Sequence, residues 1–121
     1  LLRGDKKESV SAEHYEMNQK FFDRLRNFVD LTIQTQTDVV SSYISCVNPE
    51  GVRDSILDIV SQSEDYNVVI CPMNTKLSTV GVAMAALQNN NIQLAYSKAI
   101  EYNEQGYSTP SSTATIFKYI V

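Results

Sequence analysis

Apolar and polar positions change their period several times along the chain, and each change marks an element. From Ser11 onward, Tyr15, Phe22, Leu25 and Val29 recur at spacings of seven, three and four, with Phe21 and Phe28 widening the stripe. That period predicts an amphipathic helix of roughly 17 residues, with Ser11 as its N-cap. Before it, Leu1 and Leu2 read as the end of a strand and Gly4 as a turn residue. Residues 30–38 mix Thr and Ile with Gln and Asp, so neither strand nor loop is favoured. Val39–Val47 (VVSSYISCV) is β-branched with one tyrosine and predicts a partly exposed strand.

Asn48, Pro49 and Glu50 form the clearest helix start: a cap, a proline at the first helical position, and a carboxylate at the positive end of the dipole. Val52, Ile56, Ile59 and Val60 make its buried stripe. After the polar turn at Ser63–Asn67, Val68–Cys71 (VVIC) is an apolar run of the kind buried on both faces of a parallel sheet. A third helix follows, with Leu77, Val80, Met84 and Leu87 on one face. Gly81 and Ala85 lie beside that face, small enough to let a helix approach a sheet. Gln88–Asn91 ends the helix, Ile92–Tyr96 is a strand, Glu101–Thr113 is a long loop, and Ala114–Val121 is a terminal strand.

Strands alternating with helices imply βαβ units with right-handed crossovers. The expected fold is α/β: a three-layer Rossmann-like sandwich with a mostly parallel sheet. Its last strand, which follows a loop, is expected antiparallel at an edge. Residues 1–121 form one domain. The chain begins with Leu1 rather than Met, and further sequence is expected before it.

Composition narrows the function class. Apolar residues make up 43% and charged residues 20% of the 121 residues, as in a globular domain. The net charge of −4 disfavours a nucleic-acid module, which carries a basic face. The basic residues near Arg3, Lys6 and Lys7, and near Lys20, Arg24 and Arg26, are interleaved with acids and read as solvated faces. No apolar run approaches the roughly 20 residues that cross a membrane. Cys46 and Cys71 each end an apolar run and read as buried free thiols in a reducing, cytoplasmic compartment. The Arg3-Gly4-Asp5 triplet matches an adhesion tripeptide, which in such a chain reads as chance.

Candidate chemistry concentrates after the strand ending at Cys71. In open parallel sheets, ligands bind beyond the carboxyl ends of the strands. Asn74 or Thr75 can cap the third helix, and its first-turn amides with Lys76 make an anion site. A lysine there opposes the helix dipole, which favours a role for it over plain solvation. A second candidate is the loop holding Tyr102, Asn103, Tyr107, Ser108 and Thr109. Its tyrosines can stack on a base or sugar and its hydroxyls can bind phosphate oxygens; an ordinary turn around Gly106 and Pro110 is the competing explanation. The turn at Val47–Gly51 is a third wall, fully explained by capping. Catalysis has little support. His14, the single histidine, reads as a surface residue early in the first helix. No nucleophile elbow, dinucleotide fingerprint or P-loop is present, and no cofactor is implied. Cys71 precedes Pro72 and reads as an inert thiol rather than a nucleophile.

The segment ICPMNTKLSTVGVAMAAL resembles the strand–loop–helix of CRISPR-associated Rossmann-fold sensor domains and the related SAVED domains. Thr75 and Lys76 match the family's Gly-Thr-Lys triplet, while Met73 and Asn74 stand where the family carries glycines. The resemblance implies a non-catalytic module that senses a cyclic oligonucleotide second messenger. It also implies an effector domain on the same chain and a homodimer. Two alternatives stay open: an enzyme acting on a phosphorylated metabolite, with catalytic groups outside this segment, and a structural or assembly domain in which the Thr-Lys turn only caps a helix.

Overall fold

In the computed structural model, residues 2–32 and 41–98 are described, with single positions 100, 112–114, 116 and 118. The fold is α/β, with helices alternating with short parallel strands. Strand β1 (Leu2–Gly4) is followed by α1 (Ala12–Thr32), β2 (Ser42–Ile44) and α2 (Pro49–Ser61). Then come β3 (Val68–Ile70), α3 (Lys76–Gln88) and β4 (Ile92–Leu94). The terminal strand expected at Ala114–Val121 lies largely outside the described residues; Ala114, Ile116 and Lys118 are described and belong to no strand.

The caps explain the helix bounds. The Ser11 Oγ accepts the His14 N–H at 3.0 Å and opens α1. Asn48 caps α2 by accepting the Gly51 N–H at 3.1 Å, and Pro49 takes the first helical position. Thr75 caps α3, its Oγ1 accepting the Ser78 N–H at 3.2 Å. At the other end, an Asx turn closes as Asn91 N–H donates to Asn89 Oδ1. Helix α1 runs to Thr32, longer than the apolar stripe predicts, and takes in the first residues of the ambiguous 30–38 segment.

The expected single sheet is not formed among the described residues. Strands β1 and β2 pair in parallel, as do β3 and β4, in two separate two-stranded sheets. Both pairs join strands flanking one helix, as a βαβ unit requires. In the second pair Val68 lies opposite Ile92 and Ile70 opposite Leu94. Val68, Ile70 and Ile92 face the core while Val69 turns the other way, 57% exposed. Burial of β3 on both faces is therefore not what the structure has: one face packs on helices and the other is open.

The core lies between α2, α3 and one face of the strands: Ile44, Val52, Ile56, Val60, Val82, Ala85 and Ile92. Two expectations are corrected here. Ile59 was expected in the α2 stripe but is half-exposed. Helix α3 buries Ser78, Gly81, Val82, Met84 and Ala85, while Val80 and Leu87 point outward. The small face is chosen because it lets two helices touch. A Cβ on Gly81 would stand 2.6 Å from the Val52 Cβ and nearer still to the Pro49 carbonyl oxygen. The close approach is thus to α2, rather than to a sheet. Helix α1 lies outside this cluster and contacts β1, with Phe22 buried and Phe21 and Phe28 exposed.

Candidate functional site

The carboxyl ends of β1, β2 and β3 meet at the start of α3. Thr75 follows β3 by five residues, and its hydroxyl donates to the carbonyl oxygen of Cys46, two residues beyond β2, at 2.6 Å. Asn74 Nδ2 donates to the Cys46 Sγ at 3.4 Å. Its Oδ1 accepts from Asn18 Nδ2 at 3.5 Å, which brings in α1. Gly4, the last residue of β1, completes the junction. A Cβ there would stand 2.5 Å from the Cys46 Sγ and 3.7 Å from both Asn18 Nδ2 and Asn74 Nδ2. Gly4 is thus a buried strand residue admitting close packing, not a turn residue. Gly4, the middle residue of the Arg-Gly-Asp triplet, therefore lies in a strand rather than at a loop tip.

His14 is half-buried at this junction rather than on the surface. Its Nδ1 accepts from Asn18 Nδ2 at 3.2 Å, with the Ser9 Oγ 3.4 Å away. Ser9, His14, Asn18 and Asn74 therefore form one polar chain along the carboxyl edge. The Asn18–Asn74 contact sits at the long limit of hydrogen bonding, so these two amides retain capacity for a stronger partner.

Of the residues proposed from sequence, Asn74, Thr75 and Lys76 are brought to this edge. Thr75 serves the fold first: its oxygen receives the Ser78 N–H and its proton goes to Cys46. Lys76 is the first residue of α3 and is exposed. Tyr102, Asn103, Tyr107, Ser108 and Thr109 lie outside the described residues. Asn18 and Cys46 were not singled out as site residues. The His14–Asn18 spacing of one helical turn is visible in the sequence, but their meeting with Asn74 is not.

The two cysteines differ. Cys46 is 0% exposed, whereas Cys71 is exposed, contrary to the expectation that both are buried. The reason is the open face of β3, which leaves the residue after it uncovered.

Beneath the polar edge lies a cavity of about 590 Å³, which Gly4 of β1, Ile44 of β2 and Val68–Ile70 of β3 help to line. Phe21, Phe22 and Leu25 of α1 wall one side, and Ile56, Ile59 and Val60 of α2 wall another. Asn18, Asn74 and Ser78 lie at its lining too, and among the described residues no charged side chain does. Among the described residues no three His, Cys, Asp or Glu side chains are grouped to hold a metal ion, and no helix is long and apolar enough to cross a membrane. No family model, curated protein or solved structure matches the chain.

Proposed function

We propose that the domain is a non-catalytic binding module that holds a phosphate-bearing small molecule at the carboxyl edge of its strands. The observation that carries this is the convergence of three strand ends on the N-terminus of α3, through the contacts of Asn74 and Thr75 with Cys46, Asn18 and Gly4. In α/β folds that edge is where ligands are taken, and first-turn amides favour an anion. Lys76 would add a positive charge at the phosphate. Asn74 would meet the ligand with a side-chain amide where a glycine would offer bare backbone.

In this account the two parallel pairs belong to one Rossmann-like sandwich, with β1 and β3 as neighbours at its centre. The joint packing of α2 and α3, with α1 outside their cluster, supports that arrangement. The ligand class suggested by the resemblance of the strand–Thr-Lys–helix segment is a nucleotide second messenger. An effector domain on the same chain and a second copy of this domain are the partners it brings.

A second reading, an assembly domain without ligand, is favoured by one fact: Thr75 is fully used as a cap and a tie to Cys46. A thermal-shift screen with nucleotides, cyclic oligonucleotides and sugar phosphates separates the two. A ligand at 100 times its Kd stabilises by roughly 2.7 kcal/mol. Stabilisation that Lys76→Ala removes supports the binding module, and a flat response across all three classes in a folded protein supports assembly.

A further inference from the structure

An anion site at the start of α3 does not by itself need the apolar cavity beneath it. We propose that this cavity is a pocket for an uncharged heteroaromatic ring, read at its edge by the amides of Asn74 and Asn18. The inference rests on the reading of the carboxyl edge as a ligand site and adds the chemistry of the ligand's other end.

Three observations carry it. The first is size: about 590 Å³ lies within the range of pockets that bury a small organic ligand. The second is the wall. Phe21, Phe22 and Leu25 of α1 and Ile56, Ile59 and Val60 of α2 line it, so a flat apolar group inside meets apolar side chains from two helices. Among the described residues no charged side chain lines the space, so a phosphate or carboxylate placed inside would lose its hydration with no counter-charge from them to replace it. Charge is thereby directed to the rim and the ring to the interior. The third is the polar end. Asn18 and Asn74 are half-buried, and their contact with each other is long, at 3.5 Å. A side-chain amide presents a donor and an acceptor side by side, the complement of a ring edge carrying an acceptor beside an amino group. Such an edge can replace that long contact with shorter ones.

The test is a methyl-detected NMR titration of the chain with adenosine and, separately, indole. Adenosine carries the donor–acceptor edge, and indole supplies a ring without that pair. Saturable shifts of the Ile44, Ile56 and Val82 methyls with both probes are expected. Asn74→Ala should weaken adenosine more than indole. Ile59→Trp, at a half-exposed position on the wall, should block both while leaving amide signals elsewhere unchanged. Methyls unmoved by either probe in folded protein would overturn the proposal, as would equal binding to Ile59→Trp. If that variant does not fold, equal weakening of both probes by Asn74→Ala overturns the amide role. A parallel titration with inorganic phosphate, followed at the Lys76 and Leu77 amides, reports on the anion site alone, so either site can fail by itself.

Discussion

The carbonyl oxygen of Cys46 accepts the hydroxyl proton of Thr75 at 2.6 Å, tying the turn after β2 to the N-cap of α3 across 29 residues of chain. One hydroxyl thus sets a helix start and links the two strand pairs at the edge where a ligand is proposed. Thr75→Val keeps the shape and removes both bonds. It should cost about 1–2 kcal/mol, the usual loss for a cap, while Thr75→Ser should retain most of the stability. Urea denaturation of the two variants against wild type checks this; equal midpoints for Val and wild type would show the hydroxyl to be idle.

Gly81→Ala sets two effects against each other. Alanine is better than glycine inside a helix by about 1 kcal/mol. Its Cβ, however, would meet Val52 and the Pro49 carbonyl of α2, which are backbone and a buried branched side chain that cannot swing away. Overpacking of that kind costs about 1–3 kcal/mol, so the net sign should be destabilising. A stabilised Gly81→Ala variant would mean that α2 and α3 lie farther apart than described.

Ile56 and Ile59 lie on the same helix three residues apart, but only Ile56 is fully enclosed, at 1% exposure against 37%. Ile56→Ala should lose about 2–5 kcal/mol by leaving a void. Ile59→Ala should lose markedly less. Equal losses in denaturant melts would restore Ile59 to the core and close the wall of the cavity.

These contrasts show where the sequence was legible. Ser11, Asn48 and Thr75 announce helix starts through their own side chains, a local signal, and the apolar runs at Val68 and Ile92 announce strands. The buried face of α3 was not legible. Apolar residues occupy nearly every side of that helix, so periodicity does not choose among them. The face was chosen by Gly81 meeting Val52, a contact between helices. Likewise the Asn18–Asn74 contact spans 56 residues and leaves no local trace. Val69 and Cys71 looked buried because an apolar run is uninformative about whether a second layer covers it.

Cys46 and Cys71 should separate by reactivity. A disulfide thiol reagent should modify one thiol quickly in the native chain, at Cys71, and the second only on unfolding, because Cys46 has no exposed surface. Peptide mapping of the labelled chain identifies the site. Fast labelling of both thiols in native conditions would contradict the packing of Cys46 against Gly4.

The central claim is that an anion binds at the first turn of α3. Its most direct measurement is an amide-detected NMR titration with inorganic phosphate, run on wild type and on Lys76→Ala. Saturable shifts confined to the Lys76 and Leu77 amides and the neighbouring Asn74 side chain, weakened in Lys76→Ala, are predicted. Signals that stay unmoved in folded wild type, or that move equally in the variant, would contradict the claim and leave this turn as a helix cap.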